Sequence, residues 1–149
     1  MASISTFVKS LRDIMRNDSG VNGDAQRIEQ IAWMLFLKVY SEKEKEWKFE
    51  DPNWTSIIPE ECQWDHWAHD NFTGKAITGD KLLDFVNNTL FPTLRKLEIN
   101  DSTPIKKSIV KTTFEDANNY MKDGALLRQV LNVIDGIDLG DYQQSHAFG

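Results

Sequence analysis

Between Ile31 and Tyr40 the chain is apolar on nearly every side of a helix, with Lys38 the one charged interruption. A helix that is hydrophobic all round has to be covered on all sides. This segment therefore belongs at the centre of a helical bundle, and Leu35 and Phe36 are expected core positions. Asp24 fits as its cap, and it is expected to run to about Trp47. Near its end Glu42, Glu44, Lys45 and Lys48 are spaced as three- and four-step charge pairs on a solvated surface.

The other long apolar patterns share the helical period. Ile4, Phe7, Val8, Leu11, Ile14 and Met15 mark a first helix with Ser3 or Ser5 as cap, followed by a loop rich in Asn and Gly. Thr78 or Asp80 caps a third long helix with the stripe Leu82, Leu83, Val86, Leu90, Leu94 and Leu97, which Pro92 is predicted to kink or divide. Thr103-Pro104 opens a helix carrying Ile105, Ile109 and Val110, and Leu126, Leu127, Val130, Leu131 and Ile134 mark the last one. Across residues 48–79, Pro52 and Pro59 break continuity and Trp54, Trp64 and Trp67 cluster, which predicts short turns folded on the core. No segment keeps the alternation of a half-buried strand. The expected fold is all-α, a single-domain helical bundle with a Trp-rich irregular segment between the second and third long helices. Residues 1–140 are expected to form it, and residues 141–149 read as the start of a linker.

Nothing at the N-terminus combines a basic region, an apolar core and a cleavage site. The Ile31–Tyr40 run falls short of the roughly 20 residues of a membrane-spanning helix. Cys62 is the single cysteine, so no internal disulfide can form, which fits a reducing compartment. Cytoplasm is the expected location. A formal charge of −6 argues against coating nucleic acid by bulk electrostatics, while leaving room for local basic surfaces.

The motifs that would carry chemistry are near misses. Gly74 to Lys81 has the glycine spacing of a phosphate loop, but Asp80 stands where the lysine belongs and no apolar strand precedes it. Cys62, His66 and His69, with Asp65 and Asp70 nearby, offer zinc-type ligands, although structural sites usually need four; Cys62 reads better as a small buried hydrophobe. Asp51-Pro52-Asn53-Trp54 lacks the second proline of a base-holding turn and reads as a turn with an anchoring Trp. No catalytic, cofactor-binding or metal-binding residue is expected in this chain. Two basic groups remain as candidate DNA contacts: Lys9, Arg12 and Arg16 on one stripe of the first helix, and Lys106, Lys107 and Lys111. Each also fits an ordinary solvated helix face.

Several blocks together carry a resemblance. They are Gly23-Asp-Ala-Gln-Arg-Ile28, Trp33-Met-Leu-Phe-Leu-Lys38, Ser56-Ile-Ile-Pro-Glu-Glu-Cys-Gln-Trp64 and Leu82-Leu-Asp-Phe-Val-Asn-Asn-Thr-Leu-Phe-Pro-Thr-Leu94. Phe114 to Gly124 and Leu127 to Asp135 continue the pattern, and His146-Ala-Phe-Gly149 resembles the passage into a methyltransferase domain. The chain resembles the N-terminal helical domain of the modification (M) subunit of type I restriction-modification DNA methyltransferases. The resemblance implies a parent enzyme that transfers a methyl group from S-adenosylmethionine to adenine N6. It also implies partners: a specificity (S) subunit, a second M subunit, restriction subunits in the larger assembly, and double-stranded DNA. Within that family the helical domain would help to enclose DNA; a scaffold touching only the S or M subunits is the alternative. The family's cofactor loop and catalytic turn have no counterpart here, so this chain alone is expected to be non-catalytic.

Overall fold

The structure, a computed structural model, describes residues 4–70 and 76–138. Its elements are α1 (Ile4–Met15), α2 (Gly23–Glu50), a 3-10 turn (Glu60–Cys62), α3 (Trp64–Trp67), α4 (Gly79–Phe85), a π turn (Val86–Leu90), α5 (Phe91–Arg95), α6 (Ile105–Asp116) and α7 (Gly124–Asp135). Among the described residues there is no strand, and the all-α bundle expected from the periodicity is what forms. The third long helix is divided as Pro92 predicts. Proline lacks the N–H for the carbonyl four residues back and its ring crowds it, and the turn leading into Pro92 widens to the π form over Val86–Leu90.

α2 runs through the core, but its buried register differs from the expected one. Trp33, Met34, Leu37 and Tyr40 are buried, while Leu35 and Phe36 are only partly buried against the core. Edge-on aromatic packing centres on Trp33, with Phe36 at its margin, 6.3 Å from Phe114. The Trp33 ring lies 4.9 Å from Phe91 of α5, and Phe91 lies 5.1 Å from Phe114 of α6. Leu37→Ala is therefore expected to destabilise the domain by roughly 2–5 kcal/mol, and Leu35→Ala by less than half as much. Urea unfolding of both variants checks this; equal losses would place the core on the wrong side of α2.

The helix caps also differ in detail. Asn22, not Asp24, occupies the cap of α2, and its N–H donates to Gln26 Oε1 at 2.8 Å. Asp24 instead pairs with Arg27. In α6, Val110 and Phe114 are buried as a core stripe requires, but Ile105 is 81% exposed and Ile109 43%. The first turn of α6 is held by other contacts: Tyr40 donates to the Lys106 carbonyl at 2.7 Å, and Lys106 and Lys107 lie over the rings of Trp47 and Trp54. Those contacts turn the two isoleucines outward.

α7 is the element on which α1 and α4 both pack. Asp123 caps it, accepting from Ala125 N at 2.9 Å and Leu126 N at 3.0 Å. Gly124 meets the backbone of Gly79 at the start of α4 so closely that a Cβ on Gly124 would overlap the Gly79 carbonyl. Gly79 itself has φ +62°, a conformation glycine adopts without steric penalty.

Candidate nucleic-acid interface

The turn after α1 is fixed by a buried carboxylate. Asp18 accepts from Gly20 N at 2.8 Å and from Lys122 N and Asp123 N at 3.0 Å each. These bonds join the end of α1 to the segment entering α7, so α1 has one defined face toward the core. Leu11 and Met15 fill that face. Lys9 and Arg12 of α1 and Arg16, the residue just past its end, are spaced by three and four residues and are all exposed away from that face. Arg16 lies 3.7 Å from Asp13, both side chains being more than half exposed, and such pairs contribute little. The first basic group is thus brought together as one outward stripe.

The second group is divided in its surroundings. Lys106 Nζ sits 4.9 Å from the Trp47 ring centre, and Lys107 Nζ sits 4.9 Å from that of Trp54. Lys111, one turn further along α6, is half-buried. Two of the three lysines therefore serve packing of the Trp-rich segment as well as surface charge.

The near-miss motifs resolve into structure. Asp51 to Trp54 forms a turn in which Trp54 N donates to the Asp51 carbonyl at 2.9 Å and the indole N–H donates to Glu44 at 2.9 Å. Cys62 is fully buried, and burial pushes its thiol up, with Glu61 adding to the shift. His66 is exposed, while His69 Nδ1 lies 2.6 Å from Asp135 Oδ2. The phosphate-loop resemblance ends in Gly79 and Asp80, which open α4; Gly74, Lys75, Ser3 and residues 141–149 lie outside the described residues.

Asp135, at the end of α7, collects donors from two other helices. Trp64 Nε1 donates to it at 2.7 Å and Lys38 Nζ at 3.4 Å, beside the His69 contact. Burial alone would raise this carboxyl, but the bonds from Trp64 and His69 and the charge of Lys38 outweigh it and hold it below its ordinary value. This explains a lysine inside the apolar run of α2. Asp18, Gln30, Arg128 and Asp135 were not legible as key residues. Gln30 joins α2 to the segment before α7 through Asn119 Oδ1 at 2.8 Å and Tyr120 N at 2.7 Å. Arg128 donates to the carbonyls of Ala68 and Ile77. Only their place near the ends of apolar stripes could have drawn attention to them.

The HsdM N-terminal domain family matches residues 4–134. The chain belongs to that family. It is 48% identical, over 99% of its length, to the type I restriction enzyme EcoEI methylase subunit of Escherichia coli, and spans 29% of that protein. The fold agrees as well. A crystal structure of a modification subunit attributed to a type I restriction enzyme from Vibrio vulnificus YJ016 matches with a TM-score of 0.84 and 31% identity, over 96% of this chain and 32% of that one. A chain from a structure addressing complex assembly and conformational transition of the type I R-M system matches with a TM-score of 0.75 and 28% identity, over 92% of this chain and 26% of that one. This HsdM N-terminal domain thus corresponds to under a third of the chains it resembles. Among its described residues no helix is long and apolar enough to cross a membrane, and no three His, Cys, Asp or Glu side chains are grouped to hold a metal.

Proposed function

We propose that this HsdM N-terminal domain is the DNA-clamping and subunit-assembly module of a type I adenine-N6 DNA methyltransferase. S-adenosylmethionine binding and methyl transfer reside in the remainder of the subunit. Its partners are the specificity subunit, a second modification subunit and, in the larger assembly, restriction subunits, all in the cytoplasm. The observation that carries the DNA contact is the α1 stripe: Lys9 and Arg12, continued by Arg16 just past the helix end, exposed together while the other face of α1 is seated in the core. Phosphate contacts of this kind hold the duplex without reading its sequence.

Changing all three to Gln in the assembled enzyme is expected to lower duplex affinity without altering the methylated sequence. The salt dependence should become shallower by about 0.9 log–log units for each phosphate no longer neutralised. Fluorescence anisotropy across a salt series measures both quantities. A triple variant that binds like the parent at every salt concentration would remove α1 from the interface. A protein-only scaffold is the second reading, and exposed Ile105, Ile109 and Phe49 favour it, since such residues commonly meet other proteins. It requires the α1 variant to leave DNA binding unchanged.

A further inference from the structure

Lys48 is four residues after Glu44 in α2, a spacing that ordinarily pairs the two side chains. They do not pair. Both Glu44 oxygens are taken by neutral donors, Trp54 Nε1 at 2.9 Å and Ser56 Oγ at 2.7 Å. Lys48 makes no ion pair among the described residues. It lines the cleft between α2 and the 54–65 segment together with Trp54 and Thr55. Lys107 Nζ reaches the same two residues, 4.9 Å from the Trp54 ring centre and 3.4 Å from Thr55 Oγ1. The Trp47 ring, 5.1 Å from that of Trp54, carries Lys106 at 4.9 Å. Two ammonium groups of α6 therefore lie over one pair of indoles, and Lys48 of α2 lines the cleft beside Trp54.

We propose that Lys48 and Lys107, set about Trp54, form a second phosphate-contact patch for duplex DNA, separate from the α1 stripe. This rests on the DNA-clamping reading and adds a residue from α2 that the basic groups in the sequence do not include. Attraction to the rings holds the α6 lysines in place while each ammonium keeps donors for an anion. Of the carboxylates lining the cleft, Asp65 pairs with Lys45 at 3.1 Å and Glu44 keeps its charge but is held by Trp54 and Ser56, away from Lys48. Lysines lie over both indoles, so the patch offers charge rather than a ring for base stacking, and its partner is the phosphate backbone rather than an exposed base.

The test is Lys48→Gln in the full-length subunit within its assembly, titrated with a short duplex that lacks any target site. Affinity at low salt should fall roughly 3- to 10-fold, and the log–log salt slope should become shallower by about 0.9. Lys107→Gln should do the same, while Lys43→Gln, whose lysine already pairs with Glu46 at 3.4 Å, should change neither. Thermal unfolding of Lys48→Gln should match the parent. Unchanged affinity and slope for Lys48→Gln, with the α1 triple variant still weakened, would overturn this patch alone. If neither variant weakens binding, the DNA-clamping reading falls with it. A loss of affinity without a change of slope, or loss of subunit assembly with duplex binding intact, would also overturn it; the latter would assign the patch to an acidic protein surface.

Discussion

Gly124→Ala is expected to leave little native population. A Cβ at position 124 would overlap the carbonyl oxygen, the carbonyl carbon and the Cα of Gly79, all backbone atoms at the start of α4. A flexible side chain could swing aside, but backbone in a helix terminus cannot do so without moving the helix. α4 and α7 pack along each other, and α7 also carries α1, so a shift there disturbs three helices. Overpacking of ordinary cores costs about 1–3 kcal/mol; against rigid backbone the loss should be at least about 3 kcal/mol, a large part of the whole stability of a domain this size. Gly136→Ala is the control. Its Cβ would lie 3.6 Å from the carbonyls of Asn132 and Val133, an ordinary contact, and φ there is −81°, so its effect should stay within about 0.5 kcal/mol. Denaturant unfolding of the two variants measures the contrast; near-parent stability of Gly124→Ala would mean that the two helix starts do not touch as described.

Asp18→Ala is expected to cost about 3–5 kcal/mol. The carboxylate is buried and accepts from Gly20 N, Lys122 N and Asp123 N. Removing it leaves three backbone donors in a site built for an acceptor, each costing about 1–3 kcal/mol when unsatisfied and buried, with incomplete additivity. The bonds from Lys122 N and Asp123 N span 104 and 105 residues of sequence, so their loss also frees α1 from the segment that positions it. Asp18→Asn keeps one acceptor oxygen and should lose about half as much. Amide exchange at Lys122 and Asp123, together with denaturant unfolding, distinguishes the outcomes. Equal and small losses for Ala and Asn, below about 1 kcal/mol, would show that the turn is held by other contacts.

The helices were legible because burial imposes a period. Leu127, Val130, Leu131 and Ile134 recur as the spacing of α7 requires, and all are buried. Pro92 marked its break because a missing N–H acts locally. Periodicity fails where a neighbour sets the rotation of a helix. Ile105 and Ile109 have core spacing, but the grip of Tyr40 on the Lys106 carbonyl outweighs it. Leu35 and Phe36 sit in a run apolar on every side, where no period remains to say which side faces Phe91. The candidate site was legible as charge and not as environment. The α1 stripe needs only its own helix, whereas the freedom of Lys48 depends on Trp54 and Ser56 capturing Glu44 from outside α2.

The packing of the first helix on the last has a consequence for synthesis. α1 leaves the ribosome well before α7, the helix it rests on, which is more than 100 residues away in sequence, a separation already visible in the bonds from Asp18. Contacts between distant parts of a chain form late, because the loop between them has to close first. The nascent chain therefore carries Leu11 and Met15 without their wall until α7 has emerged. Over that interval α1 is a short amphipathic segment open to chaperones, and a ribosome stalled before Gly124 would release a chain unable to close.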